Sequence, residues 1–413
     1  MSGENIKIAY LHVQFPKLSE TFVWREVEAL EGLGIDIKNI SLKRSFLNEL
    51  NDENRRFASE TTYLPHFMSG GMIYSHLWLM FRRPMEYFRT AFRLFTSRYP
   101  PGNMWLGIRK PLIFWRAVHL ARLIDDDKTI RHIHAPFKYV GLVAWIVNRL
   151  TGRSYSFSSH FATNALMVGR VAADATFVAT SSEREFEIIK SAMPTGATTP
   201  VRIVRLGLPE EYFADTAASK KSDVPTIISV GRFIPKKGFI LLMRALGELT
   251  RRSVDFKAVI VGDGPMKGDI LSQAARFGLE DRVTFTGYLE PVRLRDALDS
   301  SDIFSLFCTY GPDGDVDGVP ASMIEAMARG LPTVTTRISA LPELIEDGEV
   351  GYLVPPGDVT AFADALEKLI KNKPLREKMG DKARAKARRE SRLSRQAGEM
   401  KELFETAVRK DNR

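Results

Sequence analysis

Residues 214–238 read ADTAASKKSDVPTIISVGRFIPKKG. The stretch 214–225 is small, polar and closed by Pro225, the composition of a linker. Residues 226–230 then form an apolar, β-branched run that predicts a strand. Gly231 and Gly238 bracket a loop, and an apolar helical pattern follows at 239–249. A linker followed at once by strand, glycine-bounded loop and helix opens a second α/β series. Its further strands are predicted at 258–261, 283–286, 303–307, 333–335 and 352–354, with helices at 267–277, 293–299 and 322–329 between them.

Upstream of the linker the same alternation predicts strands at 6–11, 35–41, 130–134, 155–158, 176–180 and 203–206. A helix beginning near residue 20 should bury Phe22, Val23, Val27, Leu30 and Leu33 and end at Gly34. A chain of 413 residues accommodates two such domains. The expected fold is therefore α/β, with two doubly wound Rossmann-like domains facing each other across a cleft. Ligands in such sheets sit beyond the carboxyl ends of the strands.

Composition narrows the class. At 44% hydrophobic and 26% charged residues, the chain is balanced as a globular protein is, which excludes a disordered or membrane-spanning one. Its one cysteine, Cys308, excludes an internal disulfide framework and fits a reducing compartment. The opening MSGENIKIAYLHV predicts no signal peptide, and the apolar run at 71–81 is too short to span a bilayer. The expected location is cytoplasmic.

Three loops after strands in the second half carry the chemistry. In SVGRFIPKKG, Arg232 and Lys237 stand between a strand and a helix, where backbone N–H groups and a positive helix end favour a diphosphate. In VIVGDGP, Gly262 and Gly264 allow close backbone approach to a ligand. With Gly268 they read GxGxxxG, one residue too long for a dinucleotide fingerprint. In DGDVDGVPASMIEAMARG, Asp317 and Glu325 lie eight apart, with the glutamate on a helix, placed to accept ribose hydroxyls. Asp313, Asp315, Asp317 and Gly318 also match the first half of a calcium loop, but its last position falls on Ile324 and Glu325 comes one residue late. Asp125–Asp127 looks like a DxD metal motif, yet it ends a helical segment far from these loops. No metal site is expected.

Together GRFIPKKG, VGDGP, VTFTGYL and the acidic-x7-Glu stretch ending EAMARGLPTV resemble the retaining glycosyltransferases of family four, which have the GT-B fold. The resemblance covers the second domain. FPKLSETF and SFSSHFATN resemble the bacterial exopolysaccharide subgroup of colanic-acid and amylovoran type. The resemblance implies domains at 1–213 and 226–389 joined by the linker 214–225, with a C-terminal helix at about 390–413 free to pack back on the first. It implies a nucleoside-diphosphate-sugar donor and no cofactor. Arg232 and Lys237 would hold the diphosphate, Glu325 the ribose, Asp317 the donor sugar, and backbone around Gly262 and Tyr288 the nucleotide and its base. His160 would reach the transferred sugar and its phosphate, and Ser19 the phosphate. Asp317 departs from the family's usual glutamate, and His134 ends a strand toward the cleft. A sugar-nucleotide 2-epimerase and a non-catalytic binding scaffold are the alternatives.

One region is left over. Between residues 71 and 124 nine basic side chains, Arg82, Arg83, Arg89, Arg93, Lys110, Arg116 and Arg122 among them, face Glu86 alone. Aromatic residues are interleaved. Phe88, Phe92 and Phe95 share one helical stripe, and 112–124 repeats the arrangement. Such stripes either pack into the core or, with their cations, lie on an anionic membrane surface beside a lipid-linked sugar acceptor. No nucleic-acid motif accompanies them.

Overall fold

A computed structural model of the chain describes residues 6–17, 20–45, 52–67, 69–97, 104–160, 165–214, 223–312 and 314–411. Ser19, Asp313 and most of the expected linker lie outside the described residues. The chain divides into two compact units, with crossings at 204/205 and 393/394.

The first unit is built on a parallel sheet of β1 (Lys7–Gln14), β2 (Asp36–Lys43), β3 (Thr62–Tyr63), β4 (Ile130–Ala135), β5 (Tyr155–Ser159), β6 (Phe177–Thr180) and β7 (Val201–Ile203). Their order in the sheet is β3-β2-β1-β4-β5-β6-β7. The pleat of β1 explains the double winding. Ala9 and Leu11 enter one apolar core with the helices Met104–Asp126 and Lys138–Thr151. Ile8 and Tyr10 enter another with the helix Thr21–Gly32 and the C-terminal helix Leu393–Asp411. From Ser394 onward that last helix belongs to this unit. Gln396 donates to the buried Glu26 (2.6 Å), which also accepts from Tyr10 (2.6 Å).

The second unit contains β8 (Thr226–Val230), β9 (Lys257–Val261), β10 (Val283–Gly287), β11 (Ile303–Leu306), β12 (Thr333–Thr336) and β13 (Gly351–Val354). They are ordered β10-β9-β8-β11-β12-β13, and the strands that pair are parallel. The order reverses between β8 and β11, which is where a doubly wound sheet opens a crevice for a ligand.

Three sequence expectations need correction. The strand expected at 203–206 is β7 at Val201–Ile203, because the chain leaves the sheet after Val204, whose N–H still donates to Thr180 O (2.8 Å), to cross between units. Leu33 lies just past the helix Thr21–Gly32 and is exposed, while Trp24, Arg25 and Glu26 are buried on it. The first boundary falls at 204/205 and not after 213. The fully buried guanidinium of Arg329 is paired at both ends with Asp299 (2.6 and 2.9 Å), and it donates to the carbonyls of Tyr212 (2.9 Å) and Ala214 (3.0 Å). Arg388 donates to the Phe213 carbonyl (2.6 Å). These bonds tie the segment before the polar stretch to the second unit.

Candidate functional site

Four strand-end loops of the second unit are stitched together at the crevice. Gly231 N–H donates to Val261 O (3.0 Å), Gly262 N–H to Gly287 O (2.9 Å) and Phe233 N–H to Asp263 O (2.9 Å). Thr309 N–H donates to Lys236 O (2.9 Å), which fastens the loop after β8 to the one after β11. Two glycines make this possible. A Cβ on Gly262 would lie 1.9 Å from Gly231 O, and one on Gly238 would lie 1.8 Å from Phe307 O. Both have positive φ. The glycine requirement at 262 is thus met by packing of the loops on one another.

Within this frame Lys237 Nζ lies 2.8 Å from Asp317 Oδ2. Lys236 Nζ lies 2.6 Å from Asp315 Oδ2 and 3.3 Å from Asp317 Oδ1. Burial opposes charge on Asp317, but Lys237 and Lys236 outweigh it and hold its pKa below the usual carboxylate range. Lys236 is the member that sequence reasoning missed, and Asp315 entered it only as a position of a calcium loop. The doublet at 236–237 was visible, but nothing in one dimension said that both ammonium groups turn to the same carboxylate. Arg232 is exposed and has no partner among the described residues. It is the uncommitted cation of the loop.

The helix Ala321–Ala328 docks on the same edge through Ser322 Oγ, which donates to the Val230 carbonyl at the end of β8 (3.0 Å). Glu325 is buried on that helix, and Tyr288 is half-exposed just after β10. Cys308, beside the cluster, is inert as a nucleophile: burial, reinforced by the Asp317 charge, pushes its thiol up to about 12.

His160 belongs to the first unit, at the end of β5. It is buried against the edges of Phe22 (5.0 Å) and Phe137 (5.9 Å), and its Nδ1 has no hydrogen-bond partner among the described residues. Burial lowers its pKa to about 4, so the ring is neutral at pH 7. His134 is not open to a ligand, as its position suggested. It is fully buried, with Nδ1 2.8 Å from Ser156 Oγ and Nε2 3.1 Å from Ser158 Oγ. His132 continues the ladder to Ser154 (2.8 Å) and Ser156 (2.7 Å).

The aspartate triplet is neutralised internally. Asp125 pairs with Arg83 (3.1 Å), Asp126 with Arg122 (3.5 Å), and Asp127 with Lys38 (3.0 Å) and Lys7 (3.3 Å). The two aromatic stripes separate. The one at 112–124 is core, with Ile113, Phe114, Ala117, Val118, Ala121 and Ile124 buried. The one containing Phe88, Phe92 and Phe95 is exposed.

Residues 213–386 match the model of the family described as glycosyl transferases group 1. The putative colanic acid biosynthesis glycosyltransferase WcaL of Salmonella typhimurium is 25% identical over 390 residues, covering 87% of this chain and 90% of its own. The amylovoran biosynthesis glycosyltransferase AmsK of Erwinia amylovora is 34% identical over 169 residues, 41% of this chain and 42% of its own. Among solved structures, Anabaena Alr3699/HepE in complex with UDP and glucose superposes with a TM-score of 0.72 at 15% identity, covering 97% of this chain and 100% of its own. Two parallel-sheet Rossmann-like units of the GT-B type and a group 1 domain over residues 213–386 make this chain a glycosyltransferase.

Proposed function

We propose that the enzyme transfers a sugar, with retention at the anomeric carbon and without a metal ion, from a nucleoside-diphosphate sugar to a lipid-linked glycan acceptor. The setting is exopolysaccharide or cell-surface glycan synthesis on the cytoplasmic face of a membrane. The observation that carries this reading is the Lys236–Lys237–Asp317 cluster at the reversal between β8 and β11, with Arg232 uncommitted beside it. The names of the relatives, colanic acid and amylovoran glycosyltransferases, support the exopolysaccharide setting, and the UDP and glucose held by the Anabaena structure support the donor class.

In this reading Arg232 and Lys237 stabilise the leaving diphosphate as the glycosidic bond breaks. Glu325 accepts the ribose hydroxyls, Asp317 meets the donor sugar and orients Lys237, and backbone near Gly262 and Tyr288 meets the nucleotide. Neutral His160 accepts or donates a hydrogen bond at the transferred sugar.

The test is transfer by the purified full chain from a panel of nucleoside-diphosphate sugars to polyprenyl-diphosphate-linked glycans, with the product's anomeric configuration read by NMR. Retained configuration and full activity in a strong chelator are expected. An inverted product, activity restored only by added metal, or transfer to soluble glycans alone refutes the corresponding part.

A further inference from the structure

Among the described residues, most of the large exposed apolar side chains lie between Phe67 and Phe95. All of them except Phe67 fall on two consecutive helices, Gly70–Arg82 and Pro84–Thr96. Leu77 and Phe81 are spaced i, i+4 on the first. Met85, Phe88, Phe92 and Phe95 are spaced i, i+3, i+7, i+10 on the second, so each helix presents one apolar stripe to solvent. Phe81 is 83% exposed and Phe92 is 69% exposed, and exposed apolar side chains gathered in this way, unlike ones scattered singly, mark an interaction surface.

These stripes are not core residues awaiting burial, because the opposite face of each helix is already seated. Met72, Ser75, His76 and Leu79 are buried on the first helix, and Thr90 and Leu94 on the second. His76 stacks on Trp115 with ring centroids 4.0 Å apart and hydrogen-bonds Tyr87 (2.8 Å), and Ser75 hydrogen-bonds His119 (2.8 Å). Arg83, at the corner between the helices, pairs with Asp125 and donates to the carbonyls of Leu150 (3.2 Å) and Thr151 (3.0 Å). The pair is a rigid mount whose outer surface is apolar.

Charge around the stripes selects the occupant. Arg82, Arg89 and Arg93 are exposed on the same two helices, with Glu86 the acid among them. Arg83, Lys110 and Arg122 are spent inside: Lys110 donates to Ser97 O (2.6 Å), and Arg122 lies over Tyr74 (4.3 Å) as well as beside Asp126. Three outward cations make a weak purely coulombic anchor, since each adds only a little near an anionic surface. Aromatic and aliphatic side chains flanked by arginine match the boundary between anionic headgroups and acyl chains. No helix of the described residues is long and apolar enough to cross a membrane.

We infer that the outer faces of helices Gly70–Arg82 and Pro84–Thr96 insert their apolar side chains into the acyl region of an anionic bilayer, with Arg82, Arg89 and Arg93 at the headgroups. This rests on the membrane reading proposed above and changes its physics, because apolar insertion survives salt where a coulombic patch does not. Insertion also holds the enzyme at a fixed depth beside a lipid-linked acceptor.

The experiment is sedimentation of the full chain with vesicles of phosphatidylglycerol and phosphatidylethanolamine at low salt and at about 1 M, where screening acts beyond about 3 Å. The variants are F81S/F88S/F92S and R82E/R89E/R93E, with circular dichroism to establish folding. All six sites are exposed, so both variants should fold. Wild type is expected to bind at both salt levels. The phenylalanine variant should lose roughly a hundredfold or more in partitioning at both. The arginine variant should weaken at low salt and keep wild-type binding at high salt. Binding that vanishes at 1 M and survives in the phenylalanine variant overturns insertion while leaving the coulombic membrane reading intact. No vesicle binding at either salt overturns both. A wild-type dimer in sedimentation velocity that the phenylalanine variant converts to monomer, with no vesicle binding, assigns the face to a second copy of the chain and overturns the inference.

Discussion

All seven histidines of the chain lie in the first unit, and so do all five tryptophans: Trp24, Trp78, Trp105, Trp115 and Trp145. Acidification is therefore aimed at one unit, and tryptophan fluorescence reads that unit alone. His12, His132 and His160 are buried, and desolvation lowers their pKa values to about 4, 3 and 4; His134 is held well below the usual histidine range, by burial and then by its histidine neighbours. In the unfolded chain each would titrate near 6.5. The folded values are depressed, so the unfolded state binds protons first as the pH falls. Stability is intact above about 6.5 and declines from there toward the folded pKa values. At pH 5 the gap of about 1.5 units costs roughly 2 kcal/mol for each of His12, His132 and His160, or about 6 kcal/mol together, and His134 adds in the same direction. That rivals the whole stability of a typical domain, about 5–15 kcal/mol. Glu26, whose pKa is raised by burial, works in the opposite direction: the folded state takes up its proton first, so this one group offsets part of the loss as the pH falls. Guanidinium titrations at pH 7 and pH 5 test this. The fluorescence midpoint should fall by at least about 1 M, given slopes of a few kcal/mol per molar. A separate transition in circular dichroism, from the histidine-free second unit, should move far less. An unchanged fluorescence midpoint between pH 7 and pH 5 would refute the reasoning, because it would mean these rings are solvated or already charged in the folded state.

Arg232→Ala should weaken nucleoside-diphosphate affinity tenfold or more, since a charge-assisted bond is worth about 1.5–3 kcal/mol, and leave the melting temperature unchanged. Lys237→Ala should lower both, because it leaves the buried Asp317 with only Lys236 at 3.3 Å; equal melting temperatures for the two variants by calorimetry would contradict the ion-pair assignment. Glu325→Gln should weaken binding of the free nucleoside diphosphate, whereas Asp317→Asn should lower turnover while sparing that binding; calorimetric titration beside initial rates separates them. Gly262→Ala should destabilise the second unit by about 2 kcal/mol or more, because its Cβ would meet the Gly231 carbonyl at 1.9 Å, and a near-wild-type thermal transition would show that the loops yield.

The sequence by itself determined the class of fold and the placement of the strand-end loops. Alternating strand and helix periods repeat twice, and β8 at Thr226–Val230 occupies the residues its apolar run predicts. Arg232, Lys237, Asp317 and Glu325 could be picked because each follows a strand, and strand ends are where parallel sheets place their ligand loops. Pairing was decided only in three dimensions. Nothing local says that Lys236 and Lys237 share Asp317 across the reversal from β8 to β11, or that Ser154, Ser156 and Ser158 occupy the ring nitrogens of His132 and His134. The boundary at 204/205 was hidden because a polar stretch marks where a linker is tolerated, while the Arg329 and Arg388 bonds that fix 212–214 come from residues more than a hundred positions away. The two aromatic stripes make the same point. Helical periodicity shows that a side of a helix is apolar, but only the neighbouring elements decide whether that side is covered, as at 112–124, or left facing out, as on the helix Pro84–Thr96.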